Sequence, residues 1–168
     1  MASGAPVLQI QRAVPPATGF AVPAVTLGAS SPNESLLAWA FKDSATCYLD
    51  FLCTLKGYAA GGLTLRLGWM AATASNSVVW QAAFRRIVAS SSDLDTTAFT
   101  YDYNTVTDAA PGTVGMLKYA NITFTNGSDM DSLADGESCI LRIKRDPTHA
   151  SDTLANTASL LTLLCYET

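Results

Sequence analysis

The sequence predicts an all-β domain: a two-sheet antiparallel β-sandwich of about eight strands, jelly-roll-like, with an extended N-terminal arm and one or two short helical turns. Three observations carry this expectation. Apolar residues alternate with polar ones over runs of strand length, as at Leu63, Leu65, Leu67 and Trp69 against Thr64, Arg66 and Gly68. A sheet buried on one face requires that pattern, because successive side chains point to opposite sides. Glycines, serines and prolines punctuate the runs at turn spacing. Residues 1–32 show no period and carry Pro6, Pro15, Pro16, Pro23 and Pro32, so no helix runs through them. The expected organisation is an arm over 1–32 and a sandwich over 33–168.

The elements follow in order. A first strand over 36–41 ends at the turn of Lys42, Asp43 and Ser44. The second, 46–54, sets Cys47, Leu49, Phe51 and Cys53 on one face and Tyr48, Asp50, Leu52 and Thr54 on the other. Gly57, Gly61 and Gly62 precede the third, 63–72. The fourth, 78–88, alternates Val78, Trp80, Ala82 and Phe84 against Val79, Gln81, Ala83 and Arg85, and a serine-rich link with Asp93 and Asp95 follows it. The fifth, 98–107, aligns Phe99, Tyr101 and Tyr103, aromatic residues that suit a pleated surface. After a loop at Pro111, Gly112 and Gly115 comes the sixth, 116–125, with Ile122 and Phe124 opposite Leu117 and Tyr119. Ser128, the acids Asp129 and Asp131, and Gly136 predict a helical turn or two. The seventh run is 137–145 and the eighth 158–167, and Asp146 followed by Pro147 predicts a short helix between them.

Composition narrows the function. The chain has 168 residues, enough for one core, and charged residues make up 14%, well below the ~25% of ordinary soluble chains. More of its exterior is therefore neutral and easily covered by a partner. A net charge of −4 repels a phosphate backbone. The basic groups Arg85 with Arg86, and Arg142, Lys144 and Arg145, alternate across strands and so do not collect on one face. No nucleic-acid partner is expected. Cys47, Cys53, Cys139 and Cys165 lie in apolar runs without zinc spacing and read as buried free thiols. No apolar stretch spans a membrane and the N-terminus lacks a signal-peptide pattern, so the expectation is synthesis in a reducing cytoplasm with no membrane partner.

The search for chemistry nominates no catalytic residue, no metal ligand and no cofactor. The one histidine, His149, stands between Asp146 and Asp152 beside Ser151, but neighbours so close in sequence do not converge on one atom as a triad must. Asp129, Asp131, Asp135 and Glu137 miss the spacing of a calcium loop, whose fifth position here is Leu133. No acid pair is marked for glycoside hydrolysis, and Gly61-Gly62 opens a strand rather than a phosphate-binding helix. Sequons at Asn33, Asn121 and Asn126 matter only in a secreted eukaryotic protein. Aromatic residues are the other candidate: Trp69 and Trp80 fall in phase with core positions, whereas Trp39, Tyr101 and Tyr103 are the candidates for an exposed platform.

Several stretches carry a family resemblance: Tyr48-Leu49-Asp50-Phe51-Leu52-Cys53, Gly61-Gly62-Leu63-Thr64-Leu65 with Trp69, Phe84-Arg85-Arg86, Met130-Asp131-Ser132-Leu133 with Gly136-Glu137, Leu141-Arg142-Ile143 with Arg145-Asp146, and Glu167-Thr168. Together they resemble small structural proteins of tailed-bacteriophage virions, whose role is capsid decoration or cement. The resemblance implies a jelly-roll homotrimer on the capsid surface, with the major capsid protein as partner and no enzymatic activity. It also gives the arm a surface to grip, since an extended apolar segment gains order against a partner, and Val7, Leu8, Ile10 and Phe20 are its expected contacts. The alternative expectation is a glycan- or receptor-binding sandwich of a phage head or tail fibre.

Overall fold

Alternation along the chain becomes burial in the computed structural model, which describes residues 6–14, 19, 21–24, 37–95 and 100–168. Ten strands form among the described residues: β1 (Leu8–Val14), β2 (Val22–Ala24), β3 (Ala38–Phe41), β4 (Cys47–Leu55), β5 (Leu63–Ala71), β6 (Ser77–Ile87), β7 (Asn104–Ala109), β8 (Lys118–Phe124), β9 (Ser138–Arg145) and β10 (Ala158–Glu167). They make two five-stranded sheets, β1-β4-β9-β6-β7 and β2-β3-β10-β5-β8. The pairings are nested: β6 with β7, β5 with β8, β4 with β9 and β3 with β10, all antiparallel. The chain from β3 to β10 thus folds as one long ribbon of strand pairs, and the β6–β9 and β5–β10 ladders hold it as two sheets. That winding is a jelly roll, as the sequence leads one to expect.

Between the sheets lie the residues that alternation marks as core. Phe41, Trp69 and Trp80 meet edge to face, with ring centroids 5.0 Å apart for Phe41 and Trp80 and 6.0 Å for the two tryptophans. Phe84 and Phe124 close the other end at 4.9 Å. All four cysteines are free and buried.

Residues from the expected arm supply an edge strand to each sheet of their own domain. β1 runs antiparallel to β4 and β2 to β3. Before β1, the Val7 amide donates to the Cys165 carbonyl at 3.0 Å, and the Lys56 amide donates to the Val7 carbonyl at 2.7 Å. Val7 therefore stitches one edge of the sandwich, where the two sheets would otherwise leave ladder groups unpaired.

Two further elements differ from expectation. The fifth strand begins at Asn104, so Tyr101 and Tyr103 precede it, and Phe99 lies outside the described residues. No helix forms after β9. Asp146 accepts from the Thr148 amide and hydroxyl at 3.2 and 2.6 Å, and the chain continues in turns. The reason is Arg145, which is fully buried, paired with the buried side chain of Asp152. All five guanidinium donors are taken. Nε and Nη2 reach the two oxygens of Asp152 at 3.1 and 2.8 Å, Nη1 reaches the carbonyls of Phe41 and Asn156 at 3.1 and 2.7 Å, and Nη2 also donates to the Leu154 carbonyl. A helix over this connection would turn those carbonyls into its own hydrogen bonds. The expected turn before β9 is present as a single 3-10 turn at Ser128–Met130.

Removing the carboxylate of Asp152 leaves a buried guanidinium uncompensated, so Asp152→Ala is expected to lose about 3–5 kcal/mol of unfolding free energy. Urea unfolding checks this, and a loss within the ~0.5 kcal/mol of an ordinary surface substitution would contradict it.

Candidate functional site

The residues that the sequence nominates are dispersed. Val7 is buried in the domain's own core, Leu8 packs against that core, Ile10 is exposed, and Phe20 lies outside the described residues. Trp39 also packs against the core, and Trp69 and Trp80 are fully buried. His149 is exposed, its Nδ1 accepting from the Ser151 amide at 3.1 Å. The acids of 129–137 serve local structure. Asp129 accepts from Thr125 and Asn104, Asp131 from Arg85 and the Arg86 amide, and Asp135 from the Tyr58 amide.

Tyr101 and Tyr103 lie across the outer face of the β1-β4-β9-β6-β7 sheet. Arg142 stands at their centre, 4.1 Å from the Tyr101 ring centroid and 5.2 Å from that of Tyr48. Its guanidinium is held in a bidentate pair by Asp50 at 2.6 and 2.7 Å. Lys144 approaches the Tyr103 ring at 5.1 Å and pairs with Asp146 at 3.2 Å. Burial pushes the Tyr101 hydroxyl up to about 12 and raises that of Tyr103 as well. Here every charge is answered and both rings are half-buried, so the tyrosines pin the segment before β7 to the sheet. This is an anchor more than a platform.

At the end of β6 an open cleft of about 420 Å³ is lined by Arg85, Arg86, Ser91, Ser92 and Asp131, among others. Its arginines are likewise paired, Arg85 with Asp131 at 3.0 Å and Arg86 with Glu137.

The outer face of the other sheet is different. Cross-strand register sets Arg66 of β5 between Asn121 of β8 and Leu164 of β10, and the diagonal neighbours on either side are Tyr119 and Tyr166. The guanidinium carbon lies 5.5 Å from the Tyr119 ring centroid and 5.4 Å from that of Tyr166. Gly68 makes room for this: a Cβ there would come within 2.1 Å of the Thr162 hydroxyl and 3.2 Å of the Tyr119 ring. Tyr119 is 53% exposed, and Asn121, Thr123 and Thr162 are exposed polar side chains of the same face. Arg66 makes no ion pair among the described residues, and its Nε has no hydrogen-bond partner. The alternation of the sixth run places Tyr119 opposite Ile122 and Phe124, but the sequence pattern singles out neither Arg66 nor Tyr166 as a site residue. The available signal was a lone arginine at an outward position of an otherwise apolar strand.

No protein-family model matches the chain, and a search of curated proteins finds no match. Solved structures similar in fold include two that match almost the whole of this chain. One is the CBM22-1 xylan-binding domain of Xyn10C from Paenibacillus barcinonensis, 9% identical, with 98% of this chain and 97% of that one covered and a TM-score of 0.45. The other is the enzymatically active domain of tailspike protein 4 of bacteriophage CBA120, 7% identical, with a TM-score of 0.44. The latter match covers 96% of this chain and 19% of that one. No helix among the described residues is long and apolar enough to cross a membrane.

The raised Tyr101 value predicts alkaline behaviour. The native state keeps this proton where the unfolded chain, with an ordinary value of 10.0, has lost it. The associated stabilisation is complete below pH 10 and is lost as pH rises towards about 12. Denaturant unfolding at stepped pH is expected to show that decline, with a shallower slope in Tyr101→Phe; identical slopes would contradict it.

Proposed function

We propose that this protein is a non-catalytic binding module whose ligand is a glycan, taken on the outer face of the β2-β3-β10-β5-β8 sheet. The observation that carries the reading is the Tyr119–Arg66–Tyr166 line on an exposed sheet face. A sugar ring has an apolar C–H face and a rim of hydroxyls. Tyrosine offers the matching combination of a flat apolar ring and a polar tip. Arg66, Asn121, Thr123 and Thr162 supply hydrogen-bonding groups that fix orientation, few in number and placed on strands rather than on mobile loops. The sheet holds these groups at ladder spacing, so little ordering is required on binding.

A second reading is favoured by one observation. Val114, Met116 and Leu117, in the connection from β7 to β8, are exposed, and Leu117 lies beside Gly68 on the same face. An apolar rim of this kind suits a protein partner. Under that reading the chain is a structural virion protein on a capsid surface, a homotrimer with the major capsid protein as partner. Sedimentation separates the two: a trimer dispersed by Met116→Lys supports the virion reading, and an unchanged monomer counts against it.

Isothermal titration against a glycan panel tests the leading reading. Tyr119→Ala and Tyr166→Ala are each expected to weaken the best ligand about tenfold, a loss of about 1.4 kcal/mol, as for an aromatic anchor. Gly68→Val, which displaces the Tyr119 ring, is expected to weaken it as well. Unchanged affinity in all three, with melting temperatures intact, would contradict the assignment.

A further inference from the structure

We infer that the platform selects anionic sugars, those bearing a carboxylate or sulfate, with Arg66 as the residue that reads the charge. This rests on the glycan reading above and adds the ligand's chemistry to it.

The inference comes from how the protein treats its buried and half-buried cations; Arg12, Lys42 and Lys56 also make no ion pair among the described residues, but all three are exposed. Arg85 faces Asp131, Arg86 faces Glu137, Lys118 faces Asp108, Arg142 faces Asp50, Lys144 faces Asp146 and Arg145 faces Asp152. Arg66 faces two tyrosine rings instead. Its ladder neighbours are Asn121 and Leu164, and the outward positions on either side are Thr64, Gly68, Tyr119, Thr123, Thr162 and Tyr166, so none of its described neighbours on this face is an acid. The nearest carboxylate along β10, that of Glu167, is turned to the Ala59 and Gly61 amides at 3.1 and 2.6 Å. Flanking rings restrain the guanidinium plane. Its terminal nitrogens make no hydrogen bond among the described residues and, unlike Nε, are not buried. A planar, oriented fork with free donors is the geometry that takes a carboxylate or sulfate in two parallel hydrogen bonds. A neutral sugar leaves that charge unanswered.

The test uses the full chain and matched glycan pairs: uronate oligosaccharides with their methyl esters, sialylated glycans with their asialo forms, and sulfated glycans with desulfated ones. At least one acidic member is expected to bind about tenfold more tightly than its neutral counterpart, with the gap narrowing as salt rises. Arg66→Gln is expected to abolish the gap by weakening the acidic member more than the neutral one, and Arg66→Lys to restore part of it. Circular dichroism and thermal melting establish that both variants fold. Equal affinity for acidic and neutral members would overturn the inference and leave the glycan reading standing. No binding to any member would overturn both.

Discussion

The buried pair of Arg145 and Asp152 is the constraint on which the rest of the sandwich depends. Arg145 closes β9 in one sheet, yet it donates to the Phe41 carbonyl of β3 in the other. Asp152 answers it and also accepts from the Val79 amide of β6 at 3.0 Å. One ion pair thus ties two sheets and the connection from β9 to β10. Taking two charges out of water is costly, and their attraction offsets this only when the remaining donors are satisfied. Here all five are. Because Arg145 points inward, alternation sends Lys144 and Arg142 outward, where Asp146, Asp50 and three tyrosines meet them.

That arrangement separates the two faces by how their charge is used. On the β1-β4-β9-β6-β7 sheet, arginine, carboxylate and tyrosine form a closed set that fixes the segment leading into β7. On the β2-β3-β10-β5-β8 sheet the same residue types occur without the carboxylate. A cation stacked between aromatic rings and lacking a counter-ion is stable enough to keep, and it leaves binding capacity facing solvent. The incomplete network, not the greater number of aromatic residues, is what distinguishes this face.

Much of the fold was legible. The alternation of β4, β5, β6 and β9 marked both their extent and their buried faces, because a two-residue period is a direct image of the pleat. Trp69 and Trp80 were readable as core for the same reason. What misled was alternation without a ladder: Tyr101 and Tyr103 follow strand spacing because both reach down onto β9, from a segment that precedes the strand. The arm hid two edge strands, since prolines mask the period and pairing partners are distant in sequence. Asp146-Pro147 carried a helix-start signal that local chemistry supports, but Arg145 claims the carbonyls. Arg66 is not legible as a site residue because a lone charge at an outward strand position is ordinary until the register shows what stands beside it.

The most direct measurement of the central claim, that ligand binds across Arg66, is a titration followed by nuclear magnetic resonance with the arginine Nε–H and tyrosine ring signals assigned. Adding the tightest glycan from the panel should move the Arg66 Nε–H signal and the Tyr119 and Tyr166 ring signals while those of Tyr48, Tyr101 and Arg142 stay in place. Shifts confined to the Tyr101–Arg142 cluster, or no shift at Arg66 under saturating ligand, would contradict it.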